Sequence, residues 1–306
     1  MDGTKMGILD DKVALVTGAS RGIGRGVAIG LARQGARVAI TARTMAPGDA
    51  PALDASGRRV PGSLAETLEA LAEIGADAIA LPADLADIDS ISHLVSQTVA
   101  RFGRLDILAN CAMGFPVDYE GTSFWKSPVT DWDAQNAVGV RSHYLTSFFA
   151  APHMVDRSNG LIVNISSAGA IGEYYNAGFR VAHAANNRLA KAMAFDLKDH
   201  GVAAIALWPR WVLTERVKLA AEKNHPGFHV DPAELEDADT PELIGEAIAR
   251  LSVDPRRMDK SGHVQLIAEL ADAYGLVEAN GRKPRIDDFT RELRERIDRI
   301  EGALDW

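Results

Sequence analysis

Short apolar runs alternate with longer stretches of helical periodicity through most of the chain. Residues 13–17, 37–41, 78–81, 105–109, 161–165 and 202–207 are each short and predominantly apolar. Strands buried on both faces of a parallel sheet read this way, whereas a half-exposed strand alternates. Residues 264–267 predict a seventh strand. Between the runs, 22–34, 89–102 and 180–200 read as helices, with Gly35, Gly103 and Gly201 where a left-handed C-terminal cap is expected. A strand–helix alternation of this kind predicts a doubly wound α/β fold, Rossmann-like, with about seven parallel strands in a three-layer α/β/α sandwich. The Pro/Gly-rich stretch 44–62 reads as a long loop inside the same alternation. Ser63 and Glu66 have the spacing of a capping box. The charged tail 286–304 predicts a helix, and residues 1–306 form a single domain in this reading.

Composition narrows the partners. The chain is 47% hydrophobic, enough for a large core, and its formal charge of -9 gives no long-range attraction for phosphate backbones or anionic membranes. A small-molecule substrate is the better expectation, and nucleic acid and membrane are disfavoured. One cysteine, Cys111, excludes an intrachain disulfide and a multi-cysteine metal site, which suits a reducing compartment, and no metal centre is expected. The N-terminus lacks an apolar leader, and no stretch of about 18 apolar residues occurs, so the expected location is the cytoplasm.

The first strand is followed by Thr17-Gly18-Ala-Ser20-Arg21-Gly22-Ile23-Gly24 and then by the first helix. Glycines there let backbone approach a pyrophosphate closely, while the helix N-terminus offers free N–H groups. A merely tight loop is the plain alternative. The G-x-x-x-G-x-G spacing resembles that of the short-chain dehydrogenases, and further markers follow in that family's order from about residue 11 to 289. Asp84-Leu85 follows the third predicted strand of the sheet, Asn110-Cys-Ala-Met113 the fourth, Ile165-Ser-Ser-Ala168 the fifth, and Trp208-Pro209-Arg-Trp-Val212-Leu-Thr214 the sixth. Phe124-Trp-Lys-Ser-Pro, Val138-Gly-Val-Arg-Ser-His-Tyr144 and Ala271-Asp-Ala-Tyr-Gly-Leu276 look most like one subgroup with mammalian members.

The resemblance implies a nicotinamide dinucleotide held by Gly18, Ser20, Arg21, Gly22, Ile23, Gly24, Arg43, Asp84, Leu85, Asn110, Pro209, Val212 and Thr214. A cation after the second strand pairs with a ribose 2′-phosphate, where an acidic residue would take a 2′-hydroxyl. Arg43 ends that strand and Arg21 lies in the glycine loop, which favours NADP(H) and leaves NAD(H) as the alternative. Two solvated surface arginines would be the plain reading. The family also associates through two long helices, here 131–153 and 180–200, so a homodimer or homotetramer is expected.

The chemical half departs from the family's pattern. Ser167 matches the serine that polarises substrate oxygen. Anchored on the helix 188–197, the tyrosine position falls on Phe179 and the lysine position on His183, and the asparagine position falls on Gly139. Phenylalanine has no proton to give, and histidine titrates near neutrality. Candidate replacements are His183, Tyr174, Tyr175 and Glu173, against plain readings as packing or pocket lining. Trp211 and Phe179 would make the pocket apolar, and Arg180 and Arg210 are either surface charges or clamps for an anionic substrate. Three functions stay open: an NADP(H)-dependent oxidoreductase with a non-standard proton-transfer site, a non-redox lyase or isomerase on the same scaffold, or a nucleotide-binding protein without turnover.

Overall fold

The computed structural model describes residues 7–49, 52–54, 57–114, 123–173, 175–222 and 235–303. Its strands are β1 (Val13–Thr17), β2 (Arg37–Thr41), β3 (Ala52–Leu53), β4 (Arg59–Val60), β5 (Ala78–Ala80), β6 (Ile107–Asn110), β7 (Gly160–Ile165), β8 (Val202–Trp208) and β9 (Val264–Leu266). Seven of them form one sheet in the order β5-β2-β1-β6-β7-β8-β9, every pairing parallel. Successive side chains of a strand leave opposite faces of the sheet. Ala14 and Val16 of β1 accordingly pack into one layer, and Val13 and Leu15 into the other. Both layers are apolar, which is why the strands lack a polar alternate.

The helices are α1 (Gly22–Arg33), α2 (Leu64–Glu73), α3 (Ile88–Phe102), α4 (Val129–Asn136), α5 (Ser142–Val155), α6 (Ala177–Leu197), α7 (Glu215–Ala220), α8 (Pro241–Val253), α9 (Ile267–Tyr274) and α10 (Asp288–Ala303). Gly103 and Gly201 take the left-handed conformation after α3 and after the 3-10 turn closing α6. The Ser63 hydroxyl accepts from the Glu66 N–H at 3.2 Å and donates to its carboxylate at 2.8 Å, so the expected pair caps α2, with the carboxylate on the Ser63 hydroxyl. α1 and α8 meet along a glycine seam. A Cβ on Gly26 would lie 2.1 Å from Pro241, and one on Gly30 would lie 2.4 Å from the Glu242 carbonyl. Backbone meets backbone there, fixing the cofactor-side helix against the C-terminal third of the chain.

Three expectations are corrected. The loop 44–62 carries a hairpin, β3 paired antiparallel with β4. The helix expected over 131–153 is three pieces, because Ala137–Arg141 forms a π turn between α4 and α5. The strand expected at 105–109 begins two residues later and runs through Asn110.

Candidate active site

The chain runs from β1 outward through β2 to β5, then returns to the middle to place β6 on the other side of β1. This is the switch point of a doubly wound sheet, where the loops leaving adjacent strands diverge and open a crevice. The Thr17 hydroxyl, at the end of β1, accepts from the N–H groups of Cys111 and Ala112 at 3.0 and 3.2 Å. A Cβ on Gly18 would fall 2.8 Å from the Ala112 Cα. Only glycine permits that approach, and its φ of +65° is one that other residues seldom adopt.

The glycine loop holds one carboxylate of the chain itself. The Gly22 N–H, at the start of α1, donates to a Glu215 carboxylate oxygen at 2.7 Å. An amide that carries a carboxylate has the chemistry to take a pyrophosphate oxygen. Ser20 is buried in the same loop, Ile23 half-buried, and Gly24 packs so closely that a Cβ would lie 2.4 Å from the Gly18 carbonyl. Arg21 is directed elsewhere: its guanidinium donates to the Pro61 and Gly62 carbonyls at 3.0 and 2.5 Å. Burial lowers its pKa, opposed by Glu215. Arg43 is exposed just past β2. Asp84 is exposed, with one oxygen accepting from the Ala86 N–H at 3.0 Å, and Leu85 beside it is buried.

The strand end of β6 is polar inside. Asn110 has no exposed surface. Its amide donates to Asn164 Oδ1 at 3.0 Å and Ser147 Oγ at 3.2 Å, and its carbonyl accepts from the Thr146 hydroxyl at 2.6 Å. The side chain therefore braces β6, β7 and α5.

Ser167 follows β7 and caps the 3-10 turn Ala168–Ala170, its hydroxyl accepting from the Gly169 N–H at 3.2 Å. Phe179 and Ser167 converge over Gly169: a Cβ there would be 2.6 Å from the Phe179 ring and 3.1 Å from Ser167 Oγ. Asn176 caps α6 through the Phe179 N–H at 2.9 Å. Tyr175, Phe179 and His183 then form a ring column, with centroids 4.5 and 4.2 Å apart. Tyr175 holds φ at +57°, a rare conformation for an aromatic residue that functional loops tend to retain. Tyr174 lies outside the described residues, and Glu173 is exposed. Burial pushes the His183 imidazole down to about 3, so it is neutral at physiological pH.

Thr214 caps α7 through the Val217 N–H and touches Gly22, since its methyl would be 3.4 Å from a Cβ there. Val212 is buried and bridges to Asp239, and Pro209 is half-buried. Arg210 pairs with Asp287 at 2.9 Å. Trp211 is half-buried, its carbonyl accepting from the Asp239 N–H at 2.8 Å.

Four further residues near the site lie outside the expected set. The His143 ring contacts the Ala112 carbonyl at 2.9 Å through Nε2, which must therefore be protonated, and burial lowers its pKa to about 4. Asn186 donates to the Gly139 carbonyl, in the π turn, at 2.8 Å. Gln135 is fully buried against Gly178. Glu215 is the fourth. His143 sits within an apolar helix where sequence offers no hint of its partner; Glu215, one residue past the Thr214 motif, had a positional signal.

A seven-stranded parallel sheet with a glycine loop at its switch point defines a Rossmann-type α/β protein, and the short chain dehydrogenase family profile matches residues 12–225. The chain belongs to that family. It is 35% identical over 279 residues to dehydrogenase/reductase SDR family member 1 of Mus musculus, covering 89% of this chain and 84% of that one. The Homo sapiens counterpart is 34% identical over 282 residues, covering 90% and 85%. A Burkholderia xenovorans crystal structure assigned to the short-chain dehydrogenases/reductases superposes with a TM-score of 0.69 at 23% identity, over 85% of this chain and 96% of that one. The family comprises oxidoreductases that generally bind NAD(P)(H). No helix among the described residues is long and apolar enough to cross a membrane.

Proposed function

We propose that the chain is an NADP(H)-dependent oxidoreductase that moves hydride to or from a small carbonyl, alcohol, imine or enone, with a non-standard proton-transfer site. The observation that carries this reading is the Phe179–His183 ring pair. On the face of α6 where the family places its tyrosine and lysine, this chain has a phenyl ring against a neutral, buried imidazole. Ser167 supplies the polar anchor for a substrate oxygen or nitrogen. When bound, the nicotinamide supplies the hydride, and the protein supplies orientation and electrostatics. Lost general acid catalysis costs about 10²–10⁴-fold for a ketone, whereas an iminium accepts hydride without needing a proton on oxygen. The cofactor preference rests on exposed Arg43 at the end of β2, where no carboxylate replaces it.

Fluorescence titration with both nucleotides, followed by turnover against matched ketone and imine substrates, tests this. NADPH binds more tightly, and the imine is reduced faster than the ketone. Equal affinity for NADPH and NADH overturns the cofactor assignment. Substrate consumption without change in nicotinamide absorbance points instead to a lyase or isomerase, and binding without turnover to a nucleotide-binding protein. Replacing Phe179→Tyr together with His183→Lys lowers native turnover; a rise means these positions have simply degenerated.

We further infer a homodimer or homotetramer through α5 and α6. Tyr144, Phe148, Val181 and Phe195 expose apolar surface on these helices, Phe195 to 70%, and large exposed apolar side chains are what a subunit contact would cover. A monomeric mass by light scattering at micromolar concentration overturns it.

A further inference from the structure

The Glu215 carboxylate occupies the amide at the head of α1, and it does not stand alone. Arg216, the next residue, donates from both terminal nitrogens to the Leu53 carbonyl in the β3–β4 hairpin, each at 3.2 Å. At the other end of α7, Glu222 accepts from Arg58 of the same hairpin at 2.8 Å. The hairpin's exit is tied back to the glycine loop, where Arg21 holds the Pro61 and Gly62 carbonyls. Four segments thus close a ring around the Gly22 amide: glycine loop, residues 61–62, hairpin and α7.

We propose that Glu215 is a built-in competitor for the cofactor's pyrophosphate, so that nucleotide binding must displace it and swing α7 away from the glycine loop. This rests on the dinucleotide reading above and adds a cost to binding that this chain imposes on itself. One N–H group cannot serve a carboxylate and a phosphate oxygen at full strength, and two anions held together repel. The ties that would break with α7 are exposed: Arg58 and Glu222 show 44% and 53% of their side-chain surface, so their pairing is weak and α7 can move. The Glu215–Gly22 contact is the strong member of the ring, being charge-assisted, short and partly buried. The site is then competent only in the fraction of molecules whose latch is open, and apparent affinity falls by that fraction.

Titration of wild type, Glu215→Ala and Glu215→Gln with NADPH, and separately with inorganic pyrophosphate, tests the latch. Removing the carboxylate tightens both ligands by roughly 10-fold or more, the scale set by a hydrogen bond to a charged group. Glu215→Gln, which keeps an acceptor but loses the charge, gains less. Hydrogen exchange in wild type then shows α7 amides losing protection when NADPH binds. Equal affinities in all three proteins, or weaker binding in Glu215→Ala, overturn the latch while leaving the cofactor reading intact. Nucleotide binding that appears only in the variants supports it. Absence of binding to either ligand in every protein overturns both.

Discussion

The glycine loop and the Ser167–His183 segment lie at the same edge of one sheet, yet they are made differently. At the glycine loop the working groups are backbone: N–H vectors, left-handed turns and approaches too close for a Cβ. Around Ser167 they are side chains, and nearly all are buried: the Asn110 network, His143, His183 and the ring column on α6. Backbone groups demand glycine at a few positions and leave the side chains around them free to vary. Buried polar side chains depend on each partner, because an orphaned one costs the full desolvation penalty. A scaffold built this way can keep its cofactor cradle while its chemical side changes.

The largest effect tests whether the cradle is as tight as it looks. Gly30→Val drives a branched side chain into the α8 backbone and destabilises the protein by about 3 kcal/mol or more, read by chemical denaturation. A loss under about 1 kcal/mol means the seam has slack. Next, Arg43→Ala weakens NADPH by roughly 10–100-fold, the worth of a charge-assisted bond, and leaves NADH unchanged. Parallel losses for both nucleotides would show that Arg43 does not read the 2′-phosphate.

On the buried side, Asn110→Ala strands the Asn164 side-chain carbonyl, while the Thr146 hydroxyl keeps the Ser142 and His143 carbonyls, and costs about 2 kcal/mol of stability. NADPH affinity should barely move if the side chain braces the strands and does not touch cofactor. The smallest effect is electrostatic. Burial holds His183 near 3 and His143 near 4. The unfolded chain therefore takes up protons first as pH falls, and the stability of these neutral imidazoles is full above about 6.5 and lost toward 3 to 4. Asp239 acts oppositely, since burial raises it to about 6 and the folded chain holds that proton first, adding stability as pH drops from 6 toward 4. Comparing wild type with His183→Phe cancels the aspartate. The variant should lose about 1 kcal/mol per pH unit of the slope between pH 6 and 4, and identical slopes would mean His183 titrates normally.

Much of this architecture was legible because the constraints are local. Strands covered on both faces declare themselves as apolar runs, and Ser63 with Glu66, Gly103 and Gly201 announce where helices begin and end. The β3–β4 hairpin was not legible: each strand is two residues long, below any periodicity, amid prolines and glycines. The site divides likewise. Gly18, Gly22 and Gly24 are readable since backbone demands dictate residue type. His143 was silent because its partner is a carbonyl 31 residues away, and nothing along α5 encodes that meeting. Asn110 was found by its motif, but the direction of its side chain depends on β7 and α5 neighbours that only the fold brings together.

The π turn at Ala137–Arg141 carries a consequence for how this chain can change. A π turn holds one residue more per hydrogen-bonded ring than an α-helix does, and each residue of an α-helix rotates its neighbours by about 100°. The extra residue thus acts as a phase shifter between α4 and α5. It lets α5 turn His143, Thr146 and Ser147 inward while α4 turns Gln135 onto Gly178. Deleting Gly139 would let the segment close into one regular helix, with α5 undisturbed and α4 rotated by about a quarter turn. Gln135 would leave Gly178 and a different set of α4 side chains would form the wall beside α6. A single change of length, with no residue exchanged, would reshape the pocket.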